Sequence, residues 1–433
     1  MKNKKIQPSI LPGFMELLPM EQQMFKDIVR KITNVYEKSG FLEMDTPIIE
    51  KSEVLLAKSA GETEKQVYRF NKGSNDLSLR FDLTVPFARF SAQYFNELTF
   101  PFKRYQIGKV YRGERNQRGR YREFYQCDID IIGNNNLSIN NDALVISMVS
   151  KGFKAIGLKD YKFQISNKKI LSAILKDLEI ADTTKVMTLI DKYDKIGAEE
   201  FEKSLDELVG TEKADIISKI INMNGSNEEI LAQLKKSGLN SEEFNRGLEE
   251  LDTVKKILRI LGVEDNEYEI NLKIIRGLDY YTGTVFETFL LGNESYGSIC
   301  SGGRYDNLAQ NYTDKILPGV GISIGLTRLF FVLKEIGFLR GYKVEKSVEY
   351  LIIPIGDTLE YCVELYRRLL DKGEYTEIYL EDEKLKKKLN YANKLGIPNV
   401  MLIGENEVFN KQVKIKDMAS GEEKVISIEE IYQ

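Results

Sequence analysis

Over residues 16–38 apolar side chains recur at helical spacing, with Leu17, Met20, Phe25, Ile28, Val29, Ile32, Val35 and Tyr36 on one face and Gly40 just past the end. That period predicts an amphipathic helix closed by a glycine cap. The next piece, "GFLEMDTPIIE", reads as extended, and Pro47 confines it to an edge or an interface because proline cannot donate to a central ladder. "SLRFDLTVPFARF" passes from strand to helix around Asp82 and Thr84. "FKRYQIGKVYRGERNQRGRYREFYQCDIDIIG" holds two strand-like runs around a basic, glycine-bearing tip, which predicts a hairpin.

After a further strand at "YKFQIS", the chain from Asn167 to about Gly262 loses β character and takes on charged, helical periodicity. This predicts a helical insertion. The sheet resumes at "IIRGLDYYTGTVFE", whose alternation of apolar and hydroxyl side chains predicts a half-buried strand. "SICSGGRYDNL" follows, then "LPGVGISIGLTRLFFVL", a strand feeding a helix. A charged stretch with Gly341 inside it reads as a linker. Beyond it "VEYLIIPIG", "YTEIYL" and "NVMLIG" alternate with helical segments, which predicts a compact parallel α/β domain.

The chain of 433 residues is long enough for two or three domains, each with its own core. No apolar run approaches the ~18 residues of a membrane helix. The N-terminal "MKNKKIQPSILPGFMELLP" breaks with proline, glycine and glutamate where a secretory signal needs an apolar stretch, so a cytoplasmic location is expected. Cys127, Cys300 and Cys362 lie far apart in sequence, without metal-ligand spacing, so neither zinc nor disulfides are expected. A net charge of −4, from 62 basic and 66 acidic residues, argues against indiscriminate phosphate coating and makes any RNA contact local. There is no histidine at all, which removes the commonest general base and every Ser-His or Cys-His triad.

Chemistry must therefore run on charge and positioning. In the returning strand of the hairpin, the two-residue period puts Arg120, Arg122, Phe124, Gln126, Asp128 and Asp130 on one face. Arg112 and Glu114 end the outgoing strand. Guanidinium forks suit phosphate through bidentate, charge-assisted bonds, and an aromatic such as Phe124 suits stacking on a base. Arg328, near the start of a helix, adds a cation where a helix N-terminus also attracts anions. Neither a Walker loop nor a dinucleotide GxGxxG is present.

These segments together resemble the histidyl-tRNA synthetase family of class II aminoacyl-tRNA synthetases, over nearly the whole chain. "GFLEMDTPIIE", "YRGERNQRGRYREFYQCDIDIIG" and "GVGISIGLTRL" are similar to the three class motifs. "RGLDYYTGTVFE" and "SGGRYDNL" are similar to the two histidine-site signatures, and "NYANKLGIPNVMLIGENE" to the anticodon-binding domain.

The resemblance implies an α/β fold, with a class II antiparallel sheet flanked by helices over residues 1–338 and a helical insertion over about 168–262. A linker at 339–347 and an α/β anticodon-binding domain at 348–433 complete it. It implies that Arg112, Arg120 and Arg328 hold ATP phosphates, that Glu114 orients the hairpin loop, and that Phe124 stacks on adenine. Asp82, Thr84 and Gln126 would hold the α-ammonium group of histidine, with Asp130 and Tyr281 at the imidazole, Tyr280 lining the pocket, and Leu83 and Arg112 also among the histidine-binding residues. Arg276 would bridge the amino-acid carboxylate and the α-phosphate, and with Arg112 carry the catalysis, with no metal ligand among the site residues.

Implied partners are L-histidine, ATP with Mg2+, and tRNA(His), in a homodimer whose interface includes the first motif. The third motif departs from the family pattern, with Thr327 where an acidic residue usually precedes the arginine. Asp82 and "REFYQCDID" give the chain a likeness to the eukaryotic-type branch. The rival reading is a silent paralogue similar to the histidine-sensing regulatory subunit of ATP phosphoribosyltransferase. Such proteins lose the arginine signature and the C-terminal domain, both present here.

Overall fold

In the computed structural model of the chain, residues 6–57, 62–115, 117–275, 280–345 and 347–432 are described. They group into two compact units, one of Met1–Glu16 with Ile28–Arg340 and one of Leu17–Asp27 with Gly341–Gln433.

The helical period at the N-terminus becomes α1 (Pro19–Lys38), with Phe25, Ile28, Ile32 and Tyr36 buried along one stripe and Gly40 just beyond at φ 78°. The first unit is built on eight strands: β1 (Leu42–Glu43), β2 (Phe102–Tyr111), β3 (Glu123–Ile132), β4 (Tyr161–Asn167), β5 (Tyr268–Ile270), β6 (Thr284–Leu290), β7 (Cys300–Tyr305) and β8 (Gly319–Gly325). Their order across the sheet is β1-β2-β3-β8-β7-β6-β4-β5. The central pairs are antiparallel, while β1 on β2 and β5 on β4 run parallel. The extended piece around Pro47 contributes only β1, at the sheet edge, and then joins a separate three-stranded sheet through Ile49–Lys51.

Two helices brace the sheet near the hairpin: α2 (Thr84–Gln93), and α3 (Asn140–Ala155), which packs on β8 and β3. The predicted helical insertion is helical from α4 (Lys168–Asp177) to α5 (Glu242–Ile260), with its own core of Leu175, Val186, Phe201, Leu205 and Ile217. α6 (Leu326–Glu335) follows β8 directly.

Two sequence expectations change here. β6 is not half-buried: Thr284 and Thr288 are as buried as Val285 and Phe286, and Glu287 is buried too, because β7 and β4 flank it and both faces are covered. β3 starts at Glu123, so Arg120 and Arg122 belong to the hairpin tip and not to a strand face. The face of β3 that carries Cys127, Ile129 and Ile131 is a core face, fully buried.

The second unit has five strands: β9 (Tyr350–Pro354), β10 (Thr376–Ile378), β11 (Asn399–Ile403), β12 (Gln412–Asp417) and β13 (Glu423–Ser427), in the order β10-β9-β11-β12-β13. The first three are parallel as expected, but β12 and β13 extend the sheet as an antiparallel hairpin, so the domain is mixed. α7 (Leu359–Asp371) and α8 (Leu385–Leu395) supply its helices. Lys388 on α8 is buried and donates to the Pro354 carbonyl at 3.2 Å.

Candidate active site

A cavity of about 360 Å³ opens in the first unit over β3, β8 and the hairpin tip. Ten of the thirteen candidate residues line it: Asp82, Thr84, Arg112, Glu114, Arg120, Phe124, Gln126, Tyr280, Tyr281 and Arg328. Segments far apart in sequence meet here because the antiparallel ladder sets β3 beside β8 and β8 beside β7. Gln126 is registered against Gly325, and Cys300 against Ile324.

The guanidiniums are held before any ligand arrives. Arg112 donates through Nε to the Phe81 carbonyl at 3.2 Å and lies 4.4 Å from the Phe81 ring and 5.1 Å from the Phe124 ring. Two aromatic faces thus fix its plane, a cation–π arrangement open to an edge-on anion. Arg120 meets Glu114 at 3.4 Å. Arg328, in the first turn of α6, donates to the Gly119 carbonyl at 3.2 Å and the Ser298 carbonyl at 2.8 Å, so it ties the hairpin tip to the turn before β7. Beside it Thr327 is turned inward, its hydroxyl accepting the Tyr125 N–H at 2.8 Å, and it does not line the cavity.

The other side of the lining is acidic and amide-bearing. Asp82 accepts the Val85 N–H at 2.9 Å and the Tyr280 hydroxyl at 3.5 Å. Burial pushes its carboxyl above the usual range, against the pull of the Val85 amide and of Arg112. Gln126 donates to the Ser323 hydroxyl at 2.8 Å, leaving its Oε1 without a partner. Tyr280 and Tyr281 pack edge to face at 4.9 Å, and a Cβ on Gly303 would stand 2.8 Å from the Tyr281 ring.

Two candidates lie elsewhere, and one is outside the described residues. Leu83 is fully buried, and its carbonyl accepts from Arg104 at 3.1 Å. Asp130 is also buried, paired with Arg104 at 2.7 Å and accepting the Tyr305 hydroxyl at 2.7 Å. Gly321 on β8 makes room for that carboxylate, since a Cβ there would lie 1.9 Å from Asp130 Oδ1. Arg276 is not among the described residues. The lining in turn includes residues to which the sequence reading assigned no role, among them Asp128 and Ser323. Asp128 was visible on the right face of β3 by its two-residue spacing. Ser323 carried no signal beyond its strand.

No group of His, Cys, Asp and Glu among the described residues could hold a metal ion. No helix among them is long and apolar enough to cross a membrane.

Residues 13–329 match the profile of the family described as "Histidyl-tRNA synthetase", and residues 349–433 that described as "Anticodon binding domain". The chain is 66% identical to the Histidine–tRNA ligase of Clostridium acetobutylicum, over 99% of this chain and 100% of that protein. It is 50% identical to the Histidine–tRNA ligase of Clostridium tetani, over 99% and 98%. The crystal structure of histidyl-tRNA synthetase from Nostoc sp. superposes with a TM-score of 0.90 at 36% identity, covering 99% of each chain.

Proposed function

The chain belongs to the histidyl-tRNA synthetase family, and from that premise we propose that the cavity joins L-histidine to ATP and passes the histidyl group to tRNA(His). A carboxylate oxygen of histidine attacks the α-phosphorus, the bond from that phosphorus to the bridging oxygen breaks, and pyrophosphate leaves. In the second step a hydroxyl of the terminal ribose of the tRNA attacks the acyl carbon and AMP departs.

The first step brings two anions together, so the site must neutralise their repulsion and hold them in line; alignment alone removes roughly 7–11 kcal/mol of barrier in well-oriented systems. No general base is needed, because the attacking carboxylate is already ionised near neutral pH. A chain without histidine can therefore run this chemistry. Arg112, Arg120 and Arg328 take the phosphates, Glu114 steadies Arg120, and Phe124 offers its ring to adenine. Asp82, Thr84 and Gln126 receive the α-ammonium group, with Tyr280 and Tyr281 closing the pocket. Arg276 would bridge the two reacting anions.

ATP enters as its Mg2+ complex, and with no metal cluster among the described residues the ion would be carried mainly by the phosphates. A homodimer in the cytoplasm completes the proposal, with the second unit reading the anticodon.

The observation that carries this reading is the convergence of three pre-positioned guanidiniums with Asp82 and Gln126 on one cavity. Amino-acid-dependent exchange of pyrophosphate into ATP tests it. Exchange with histidine and with no other amino acid is expected, and its absence would refute the reading. In the same assay Arg276→Ala should lose at least ~100-fold in kcat/KM, and Arg276→Lys should recover only part of that loss.

A further inference from the structure

Strand β3 carries two buried carboxylates at the base of the site, of which Asp128 lines the cavity. Asp128 and Asp130 sit two residues apart on one face of β3 and are 2% and 1% exposed. Arg104 on β2 is the guanidinium that faces both, and it is paired with Asp130 at 2.7 Å. The Tyr305 hydroxyl from β7 also goes to Asp130, so that carboxylate is occupied.

Asp128 has no such company. Its Oδ1 is buried without a hydrogen-bond partner, and the Ser323 hydroxyl of β8, beside it, accepts from Gln126. Asp82 and Asp130 repel it, Gln106 on β2 is turned to Asp45 and Thr46, and Tyr36, Tyr280 and Cys300 nearby are uncharged. Burial therefore raises its carboxyl to about 7. Among the described residues Arg104 is the cation that acts on both carboxylates, and it is paired with Asp130, so Asp128 is a buried carboxylate only partly compensated, a cost that a cationic ligand would offset.

Gln126 Oε1, one step along the same face and also lining the cavity, lacks a partner too. We propose that Asp128 is a direct acceptor for the α-ammonium group of the amino-acid substrate, alongside Asp82 and Gln126, and that this cation completes the buried charge set. An ammonium group has a fixed positive charge and three N–H donors, which matches three convergent acceptors. A neutral imidazole offers one N–H and no charge. The inference rests on histidine activation at this cavity.

Asp128→Asn, an isosteric change, tests it in pyrophosphate exchange. Loss of one charge-assisted bond should raise the KM for histidine about 10–100-fold while the KM for ATP stays within about twofold. Two analogues locate the contact as inhibitors of the exchange. Histidinol keeps the ammonium group and lacks the carboxylate; imidazolepropionate keeps the carboxylate and lacks the ammonium group. In the variant, histidinol should weaken by the same factor as histidine, and imidazolepropionate should inhibit as it does in the wild type.

Asp128→Ser, a smaller change, should show the same selective loss. Equal weakening of both analogues, a parallel rise in the KM for ATP, or an unchanged KM for histidine would each overturn the assignment. Failure of the wild-type protein to exchange with histidine would instead overturn the activity itself.

Discussion

Thr327 shows how one side chain can depart from a family pattern and still be accounted for. At 1% exposed, it spends its hydroxyl on the Tyr125 N–H, joining the first turn of α6 to β3 behind the cavity wall. Its role is structural, so Thr327→Val, which keeps the shape and removes the acceptor, should cost roughly 1–3 kcal/mol by leaving a buried amide unsatisfied. Thermal denaturation would register that loss, while the dependence of exchange on Mg2+ should match the wild type. A shifted Mg2+ optimum would mean that the threonine acts on the nucleotide's metal after all. Arg112 illustrates the opposite case, a side chain whose value is its plane. Clamped between Phe81 and Phe124, it should not be replaceable by lysine, and Arg112→Lys should lower kcat/KM for ATP by at least ~10-fold, because an ammonium keeps the charge and loses the fork and the stacking.

At the scale of elements, spacing alone revealed the hairpin of β2 and β3, the long α1, the passage from β8 into α6 and the extent of the helical insertion, because each has a period or a breaker that local physics imposes. What spacing could not reveal was which faces end up covered. Thr284 and Thr288 on one face of β6 and Glu287 on the other look like solvent-facing positions in the sequence and are buried because β6 lies inside an eight-stranded sheet whose faces are covered. The same limit separates Asp128 from Asp130. Both fall on one strand face by parity, and only the arrival of Arg104 and Tyr305 from other strands decides which is tied up and which meets the cavity. Strand β7 is where this packing bears on function. Gly303 faces Tyr281 so closely that a methyl group would fall 2.8 Å from both the ring and the Thr284 carbonyl. Gly303→Ala should therefore displace Tyr281 and raise the KM for histidine about 10-fold or more, with the KM for ATP little changed, since relieving such an overlap costs about 1–3 kcal/mol. An equal rise in both constants would show that the strand as a whole had shifted.

For the molecule as a whole, the absence of histidine moves the response to pH from imidazoles to buried carboxylates. Asp82, Asp128, Asp130 and Asp142 are all pushed up by burial, and for Asp128 the value reaches about 7 against 3.8 for an ordinary aspartate. A carboxyl whose folded value is raised binds its proton more tightly in the native state than in the unfolded chain. Its contribution to stability is complete below pH ~4 and is lost progressively as pH rises to about 7, after which it no longer changes. Asp128→Asn removes the charge and keeps the shape, so it should melt at a higher temperature than the wild type, by a margin that is small near pH 5, widens toward pH 7 and levels off above it. Comparing the two proteins at each pH cancels the carboxylates that do not act on Asp128, while Asp82 and Asp130, which repel it, move in the same direction as the margin. Saturating histidine should narrow the margin by stabilising the wild type more than the variant, because the bound cation offsets the charge that burial penalises. A margin independent of pH, or one unaffected by histidine, would show that Asp128 is not the group on which folding and substrate binding make opposing demands.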